Sequence, residues 1–426
     1  MAEVKLCVIG AGSTYTPELI EGVLARRDEL PVSRVALMDI DREKLTIVSG
    51  LVARMVEASG EGPELTVTTD RAEAIEDADF VVTQIRVGGL EARIKDEKIP
   101  LQFGVIGQET TGPGGFAKAL RTIPVMLDIA ADVALLAPDA RLINFTNPSG
   151  LITEALNRYS DAEVIGLCNS PIGLQRQIAK HFGAPPADVV LDYFGLNHLS
   201  WVRGVRIRGD DFTDPAVEAA AGWSDGRQGQ LIRTLRMIPC GYLRYYYFTD
   251  EVLEELIRAP KTRGEVVAEV EQGLLEMYSD PALKTKPKEL EKRGGAHYSE
   301  AAMALISAIY NDSDEWHVVN VTNAGCIVDL PDLAVVEVPA QVNSDGAHPL
   351  PIGELPLEVR GLVHAVKAYE ELTMRAAVEG DYRAALLALT NHPLVPSFSV
   401  ARALLDALLQ AHRPYLPQFF GEERVR

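Results

Sequence analysis

Apolar and polar positions in the first third of the chain alternate between short buried runs and amphipathic stretches. Six apolar runs predict strands, at Val4–Ile9, Arg34–Asp39, Glu64–Thr69, Phe80–Arg86, Arg141–Thr146 and Glu163–Cys168. Helical patterns lie between them, at Pro17–Arg27, Arg42–Ala58 and Gly115–Leu136. Strands that alternate with helices are typical of a parallel sheet with helices on its faces. The pattern therefore predicts an α/β fold that starts with a Rossmann-like, doubly wound parallel sheet.

The pattern changes after residue 167, where longer helical stretches replace the regular alternation. Strands are still expected in this part, at Val189–Gly195, Leu199–Arg208, Trp316–Val321, Cys326–Leu330 and Ala334–Val338. We therefore predict two domains. Residues 1–167 form the Rossmann-like domain, and residues 168–426 form an α+β domain that is largely helical.

Composition and charge exclude several classes of partner. The 426 residues and 47% hydrophobic content fit two domains. The formal net charge of −20 argues against nucleic acid or an anionic membrane, because both require a basic surface. No apolar run reaches the roughly 18 residues that a membrane span needs. The cysteines are scattered and typical of reduced thiols, which favours a cytoplasmic protein: Cys7, Cys168, Cys240 and Cys326.

The first strand leads into a glycine-rich turn. Gly10 and Gly12 allow a tight turn and a close backbone approach to a pyrophosphate at the start of the next helix. Tyr15 stands where a third glycine is usual. Asp39 ends the second strand, where a carboxylate binds a ribose 2′-hydroxyl and repels a 2′-phosphate. These residues predict an NAD site, although a glycine-rich turn of another α/β protein remains the alternative.

Charged and amide side chains follow other predicted strands. One stretch runs from Gln84 through Arg86 and Arg93 to the turn that contains Glu109. Ligands bind at this edge of an open α/β sheet. A solvated charged helix followed by a loop would give the same sequence pattern. Ser13, Thr14 and Arg86 could serve cofactor phosphates, a substrate anion or neither. The stretch Asn144–Ser149 ends another strand with amides, and it also fits a turn.

Cys168 and His198 each follow a strand, and a thiolate with an imidazole can hold a divalent transition metal with positions left open. Each taken alone is more typical of a buried structural residue. The segment Ile238–Tyr247 holds four tyrosines, which fit either aromatic packing or one phenolic base.

Taken together, these residues resemble the NAD- and metal-dependent family 4 glycosidases, and especially their 6-phospho-β-glucosidase branch. The resemblance covers nearly the whole chain. It rests on a set of motifs: GAGSTYTPEL, QIRVGGLEAR, GVIGQETTGPGG, CNSP, GLNHLSW, YLRYYY and KTRG.

The resemblance implies roles for individual residues. Cys168 and His198 match the ligands of a manganese-type ion, Tyr242 matches the base, and Glu109 matches the acid that tunes that tyrosine. Positions that contact substrate are matched by Arg93, Asn147, Asn169 and Arg263. The cofactor contacts are expected at Gly10, Gly12, Ser13, Thr14 and Asp39. Family members that act on α-linked sugars tend to have Asp where this chain has Asn169, which favours the β branch.

The activity that the resemblance implies is hydrolysis of 6-phospho-β-glucosides, such as cellobiose 6-phosphate, to glucose 6-phosphate. Its steps are NAD-dependent oxidation at C3, removal of the C2 proton, elimination, water addition and re-reduction. NAD and Mn²⁺ or another divalent ion are the expected cofactors, and a homodimer or homotetramer is the expected assembly. The second domain would carry the metal, the substrate and the oligomer contacts.

Three alternatives stay open at this point. One is a family member that acts on 6-phospho-α-glucosides or on unphosphorylated galactosides or uronides. Another is an NAD-dependent 2-hydroxy acid dehydrogenase, and the last is a nucleotide-binding sensor without catalysis.

Overall fold

The computed structural model describes residues 3–293 and 298–421. Its strands are β1 Val4–Ile9, β2 Val32–Met38, β3 Glu64–Thr68, β4 Phe80–Thr83, β5 Arg141–Asn144, β6 Val164–Gly166, β7 Val189–Leu196, β8 Leu199–Ile207, β9 Asp210–Asp211, β10 Ile238–Pro239, β11 Glu315–Thr322, β12 Val335–Asn343 and β13 Gly346–Pro349.

The α-helices are α1 Thr16–Ala25, α2 Arg42–Ala58, α3 Arg71–Ile75, α4 Gly89–Leu101, α5 Gly112–Leu136, α6 Ser149–Tyr159, α7 Ser170–Phe182, α8 Thr213–Trp223, α9 Gly226–Leu235, α10 Arg244–Tyr247, α11 Thr249–Arg258, α12 Arg263–Tyr278, α13 Tyr298–Asn311, α14 Leu357–Glu379, α15 Tyr382–Asn391, α16 Phe398–Ala411 and α17 Pro417–Phe420. Short 3₁₀ turns lie at Pro186–Asp188, Gly241–Leu243, Lys288–Arg293 and Arg413–Tyr415.

A nine-stranded sheet forms the centre of the molecule, in the order β13-β12-β11-β6-β5-β4-β1-β2-β3. Its six N-terminal strands are parallel, as the alternating pattern predicts. Strand β1 is buried along its whole length, which is why its sequence reads as a nearly continuous apolar run. The predicted Rossmann-like doubly wound sheet is confirmed.

The strand order reverses between β1 and β4, since β2 and β3 lie on one side of β1 and β4 to β6 lie on the other. In open α/β sheets such a switch point leaves a crevice outside the carboxyl ends of the strands. The residues that follow β1, β4, β5 and β6 therefore meet at one edge of the sheet.

The second half of the chain extends the same sheet. Strand β11 pairs antiparallel with β6, and β12 and β13 continue outward from it. Strands of both predicted domains thus share one sheet, and the boundary between residues 167 and 168 stays a prediction.

The strand expected at Cys326–Leu330 was wrong, because a turn occupies these residues. The Asn323 side chain donates to the carbonyl oxygens of Ile327 and Leu330 and accepts the Ile327 N–H. A side chain that bonds local backbone in this way competes with ladder pairing. The segment keeps a single bridge, from Ile327 to Gly353.

A four-stranded antiparallel sheet, β10-β8-β7 with β9 on β8, forms a second layer. Its apolar face packs with α7, α8 and α9 into a separate buried cluster that includes Ile178, Val205, Ala220, Ile232 and Ile238. Helices α14, α15 and α16 complete the main core. Within residues 3–293 and 298–421, no helix combines the length and apolar character that crossing a membrane requires.

Candidate active site

The turn after β1 brings the chain close to the strand beside it. Gly10 has φ +92°, and a Cβ there would lie 2.9 Å from the Gln84 carbonyl. Only glycine fits this close approach without strain. The Gly12 N–H donates to Asp39 Oδ2 at 2.8 Å, so the carboxylate after β2 reaches the glycine turn. Burial raises the pKa of Asp39, while N–H groups of Asp41 and Gly12 act in the opposite direction.

One large cleft, about 1990 Å³ in volume, opens at this edge of the sheet. Gly10, Gly12, Ser13 and Asp39 line it, as the sequence predicts for a dinucleotide site. Thr14 does not line it. Its side chain is completely buried, and its hydroxyl finds no hydrogen-bond partner among the described residues.

Cys168 and His198 come together from two different sheets. Cys168 follows β6, and His198 occupies the turn between β7 and β8 with φ +63°. The Cys168 Sγ and His198 Nε2 atoms lie 3.5 Å apart. Two ligands bonded to a zinc-sized ion at about 2.3 and 2.1 Å would lie roughly 3.1–3.6 Å apart. The spacing therefore fits one shared transition-metal ion.

Hydrogen bonds fix which nitrogen of His198 faces the thiol. The Gln108 Oε1 atom accepts the N–H groups of Thr110 and Thr111 and also the Thr110 hydroxyl, at 2.6, 2.7 and 3.0 Å. Since its hydrogen is already donated, Thr110 Oγ1 can only accept from His198 Nδ1, which lies 3.0 Å away. The imidazole then carries its proton on Nδ1 and presents the Nε2 lone pair to Cys168.

The protonation of the pair suits a metal ion as well. Burial lowers the pKa of His198 to about 3, so that the imidazole is neutral and able to coordinate at ordinary pH. Burial raises the pKa of the Cys168 thiol to about 12 when no cation is present. A bound ion stabilises the thiolate and offsets that cost. Among the described residues no cluster of three or more His, Cys, Asp or Glu could hold a metal, so this pair leaves coordination positions open for substrate oxygens.

Tyr242 lies against the same histidine. The 3₁₀ turn Gly241–Leu243 places its ring parallel to the His198 ring, with centroids 3.6 Å apart and an interplanar angle of 8°. Tyr242 also lines the cleft. The structure thus brings the predicted base and the predicted metal ligands to one point.

Glu109 is held by three cations that come from different elements. Arg86 follows β4, Arg93 lies in α4 and Lys118 lies in α5. Arg86 forms an ion pair with Glu109, Arg93 Nη1 lies 2.9 Å from Glu109 Oε1, and Lys118 Nζ lies 3.0 Å from Oε2. Burial acts to raise the pKa of Glu109, but Arg86, Lys118 and Arg93 outweigh it and hold the pKa well below its usual range.

Arg93 connects this cluster to the tyrosine. Burial acts to lower the pKa of Arg93, and the negative charges of Glu109 and Glu97, with a smaller contribution from Tyr242, raise it. Arg93 is therefore close enough to Tyr242 for electrostatic interaction, and it is ion-paired to Glu109. The influence of Glu109 on Tyr242 that the sequence predicts has a physical route through this guanidinium.

The remaining predicted substrate residues also line the cleft. Asn147 has a buried Oδ1 atom without a hydrogen-bond partner in the described part of the chain. Asn169 is the N-terminal cap residue of α7, directly after the thiol ligand. Arg263 begins α12 and donates to the carbonyl oxygens of Lys292 and Arg293, so part of its hydrogen-bonding capacity is already used.

Several cleft residues were missed by reasoning from sequence. Lys118 is a cation on a largely apolar stretch of α5, one turn before Arg121, and this was the available signal. Burial lowers the pKa of Lys118 to about 7. Arg293 lies over the Tyr15 ring at 4.3 Å and pairs with Glu271, but it falls in a polar stretch that reads as a loop. Thr110 gave no signal, because an orienting hydroxyl looks like any other threonine.

Comparison with known proteins shows the family of the chain. Residues 5–184 match the model of family 4 glycosyl hydrolases, and residues 193–395 match the model of the C-terminal domain of that family. The chain belongs to the family 4 glycosyl hydrolases, and the predicted family is confirmed.

Relatives within the family carry more specific names. A probable 6-phospho-β-glucosidase of Bacillus subtilis strain 168 is 49% identical over 98% of both chains. A 6-phospho-β-glucosidase of Escherichia coli strain K12 is 43% identical over 98% of this chain and 97% of its own. The 6-phospho-β-glucosidase of Thermotoga maritima, solved with manganese, NAD⁺ and glucose 6-phosphate, has a TM-score of 0.92 and 39% identity over 97% of this chain and 99% of its own.

Proposed function

We propose that this protein hydrolyses 6-phospho-β-glucosides to glucose 6-phosphate with NAD and a divalent ion such as Mn²⁺. One observation carries the proposal: Cys168 and His198 meet beside Tyr242, whose side chain lines the same cleft as the Gly10–Gly12 turn. A hydrolase that has a dinucleotide-binding turn beside two proposed metal ligands fits a mechanism of oxidation followed by elimination. The names of relatives at 49% and 43% identity support the β-linked, phosphorylated substrate.

In this proposal Cys168 and His198 hold the metal ion, with the His198 lone pair aimed by Thr110. When bound, the ion stabilises negative charge on sugar oxygens, and NAD allows reversible hydride transfer at C3. Tyr242 removes the C2 proton, which the ketone at C3 makes acidic. Arg93, which is ion-paired to Glu109, lies near Tyr242 and supplies positive charge beside the phenol.

The cofactor lies along the turn after β1 in this proposal. Gly10 and Gly12 admit the pyrophosphate to the start of α1, and the Asp39 carboxylate binds the adenosine ribose. Ser13 faces the cleft at the same turn. For Thr14, whose side chain is buried, we propose a contact through the backbone N–H alone.

The substrate is held beside the metal pair by Arg93, Asn147, Asn169 and Arg263. The unpartnered Asn147 Oδ1 supports this role, since a buried acceptor without a partner is unfavourable until a ligand donates to it. The phosphate needs positive charge, whereas the chain as a whole has a net charge of −20. Arg93 and Arg263 supply that positive charge locally.

The test is hydrolysis of 4-nitrophenyl β-glucoside 6-phosphate with NAD, Mn²⁺ and reductant, repeated with each component left out. We expect turnover that is lost without NAD and without metal. Turnover that is indifferent to NAD would overturn the redox mechanism.

The same assay separates the alternatives. Higher kcat/KM on α-linked or unphosphorylated sugars would indicate another specificity within the family. Accumulation of NADH in step with product would indicate a dehydrogenase, because the glycosidase regenerates NAD in every cycle. Binding of NAD and sugar phosphate without any turnover would indicate a sensor.

We also propose that the protein works in the cytoplasm as a homodimer or homotetramer. The four free cysteines support the cytoplasm, and the assembly is the one that the family resemblance implies. Light scattering after size-exclusion chromatography measures the assembly, and a monomer at working concentration would refute it.

A further inference from the structure

One run of the chain contributes no charged residue to the lining of the cleft. The charged lining residues of the described chain all lie before Ala140 or after Thr262, and those between Phe145 and Tyr245 are uncharged. Within this stretch a group of side chains forms what we call the uncharged lobe: Leu174, Gln177, Ala220, Trp223, Ile232 and Ile238.

The uncharged lobe begins next to the reacting groups. Leu174 lies in α7, whose cap residue Asn169 follows the thiol ligand Cys168. Ile238 lies in β10, directly before the 3₁₀ turn that carries Tyr242. A ligand bound next to the metal pair and Tyr242 therefore has the lobe beside it.

The leaving group of the substrate must lie near this point, because it is attached to C1, the carbon next to C2. The phosphate on C6 requires cations, and the cleft offers them only in its charged part. The dinucleotide turn takes up another part of the cleft. The uncharged lobe is the region that remains for the group on C1.

The walls of the uncharged lobe are largely buried and apolar. Ala220, Ile232 and Ile238 are at most 5% exposed and belong to the buried cluster under the second sheet. Trp223 is half-buried at the end of α8, with its ring 5.5 Å from the His181 ring in an edge contact. Gln177 is the one polar side chain of the six that define the lobe.

We propose that the uncharged lobe binds the leaving group and selects an aromatic one over a sugar; this rests on the proposed function. A sugar carries several hydroxyls, each of which loses water on entering an apolar lobe and needs a partner there. An aromatic ring needs only contact area and a ring such as that of Trp223 against which to pack. Aryl β-glucoside 6-phosphates match this lining.

The experiment measures Kd by calorimetry for methyl β-glucoside 6-phosphate, phenyl β-glucoside 6-phosphate and cellobiose 6-phosphate. The protein is the Tyr242→Phe variant with NAD and Mn²⁺, so that leaving-group reactivity does not enter the comparison. We expect phenyl to bind about tenfold or more tighter than methyl, and cellobiose 6-phosphate to bind no tighter than methyl. Trp223→Ala in the same background should remove the phenyl advantage and leave methyl within about twofold.

Two further variants guard against a folding defect. Trp223→Phe should keep most of the phenyl advantage, and Trp316→Ala, an exposed tryptophan on β11 outside the cleft, should change nothing. Equal Kd values for phenyl and methyl, or tightest binding of cellobiose 6-phosphate, would overturn the lobe assignment alone. Failure of all three compounds to bind would overturn the proposed function and the lobe assignment with it.

Discussion

His198 has a left-handed backbone conformation, and its side chain is fixed from both ends. The Thr110 hydroxyl oxygen accepts a hydrogen bond from His198 Nδ1–H, and the Tyr242 ring stacks on the face of the imidazole. Partners of this kind determine the tautomer of a metal-binding histidine and its orientation. In the proposed metal site the role of Thr110 is therefore positioning, since it would act on the ion through His198.

Thr110→Val removes the acceptor for His198 Nδ1–H and keeps the shape of the side chain. We expect the Kd for Mn²⁺ to rise by about 10–100-fold, because the nitrogen tautomer is no longer fixed. Titration followed by electron paramagnetic resonance measures this directly without turnover. Thr110→Ser, which keeps the hydroxyl, should bind the ion nearly as wild type, and equal Kd values for all three proteins would refute the role.

Tyr242→Phe removes the phenol and leaves the ring that stacks on His198. We expect kcat to fall by about 10²–10⁴-fold, as for loss of a positioned base. Affinities for NAD and Mn²⁺ should stay within a few fold, because the packing is kept. Near-normal turnover with β-linked substrate would remove Tyr242 from the base role.

Sequence motifs could predict those site residues whose side-chain type alone indicates their chemistry, such as Cys168 and His198. Thr110 and Arg293 act through geometry. Their partners lie 88 and 22 or more positions away in the chain, and no local pattern reports such contacts.

At the scale of elements, α4 and α5 are joined by charges that neither helix could bury alone. Arg93 and Lys118 meet at Glu109, and Asp96 forms a fully buried ion pair with Arg121. A buried charge is tolerated when it is paired, and removing one partner leaves the others uncompensated. The cluster is therefore a structural connection between these helices as well as a lining of the cleft.

Glu109→Gln should destabilise the protein by about 3 kcal/mol, because three cations lose their shared carboxylate. The pKa of Glu109 is lowered on folding, so its stabilising effect is complete above the unfolded-state value of about 4.3 and declines below it. The difference in denaturation midpoint between wild type and the variant should be complete at pH 6. It should shrink as the pH falls below about 4.3.

Glu91→Gln, an exposed change in α4, is the matched control and should stay within about 0.5 kcal/mol of wild type. A gap for Glu109→Gln that does not depend on pH would show that the carboxylate is not held ionised by its neighbours.

Most strands of the main sheet could be predicted because each is a short buried apolar run between turns. The ends of these strands could be predicted less well, because buried residues continue beyond the last hydrogen bond to the neighbouring strand. Phe145 and Thr146 are buried but lie outside β5. The turn at Cys326–Leu330 shows the same limitation, because Cys326, Ile327 and Leu330 are buried although the segment pairs only through the single bridge of Ile327.

At the scale of the molecule, the parallel sheet and its crevice follow from the order of elements along the chain. The attachment of β11 to β6 does not, because Asn320 and Gly166 are 154 positions apart and no local pattern pairs them. The second half of the chain thus covers an edge that β6 would otherwise expose.

A shared sheet predicts cooperative unfolding. We expect one transition in scanning calorimetry, and saturating NAD should shift the whole of it upward. A ligand at 100 times its Kd adds about 2.7 kcal/mol to the free energy of unfolding. Two separate transitions, with NAD moving only one, would instead support independent domains divided near residue 167.

The two proposed metal ligands come from different sheets, Cys168 after β6 of the nine-stranded sheet and His198 between β7 and β8. An ion bound to both would clasp the two layers together, much as a disulfide joins distant parts of a chain. Loading the cofactor site would then tighten the scaffold around it. The enzyme would be most rigid when it is ready to react, and a chelator would loosen its architecture as well as stop its chemistry.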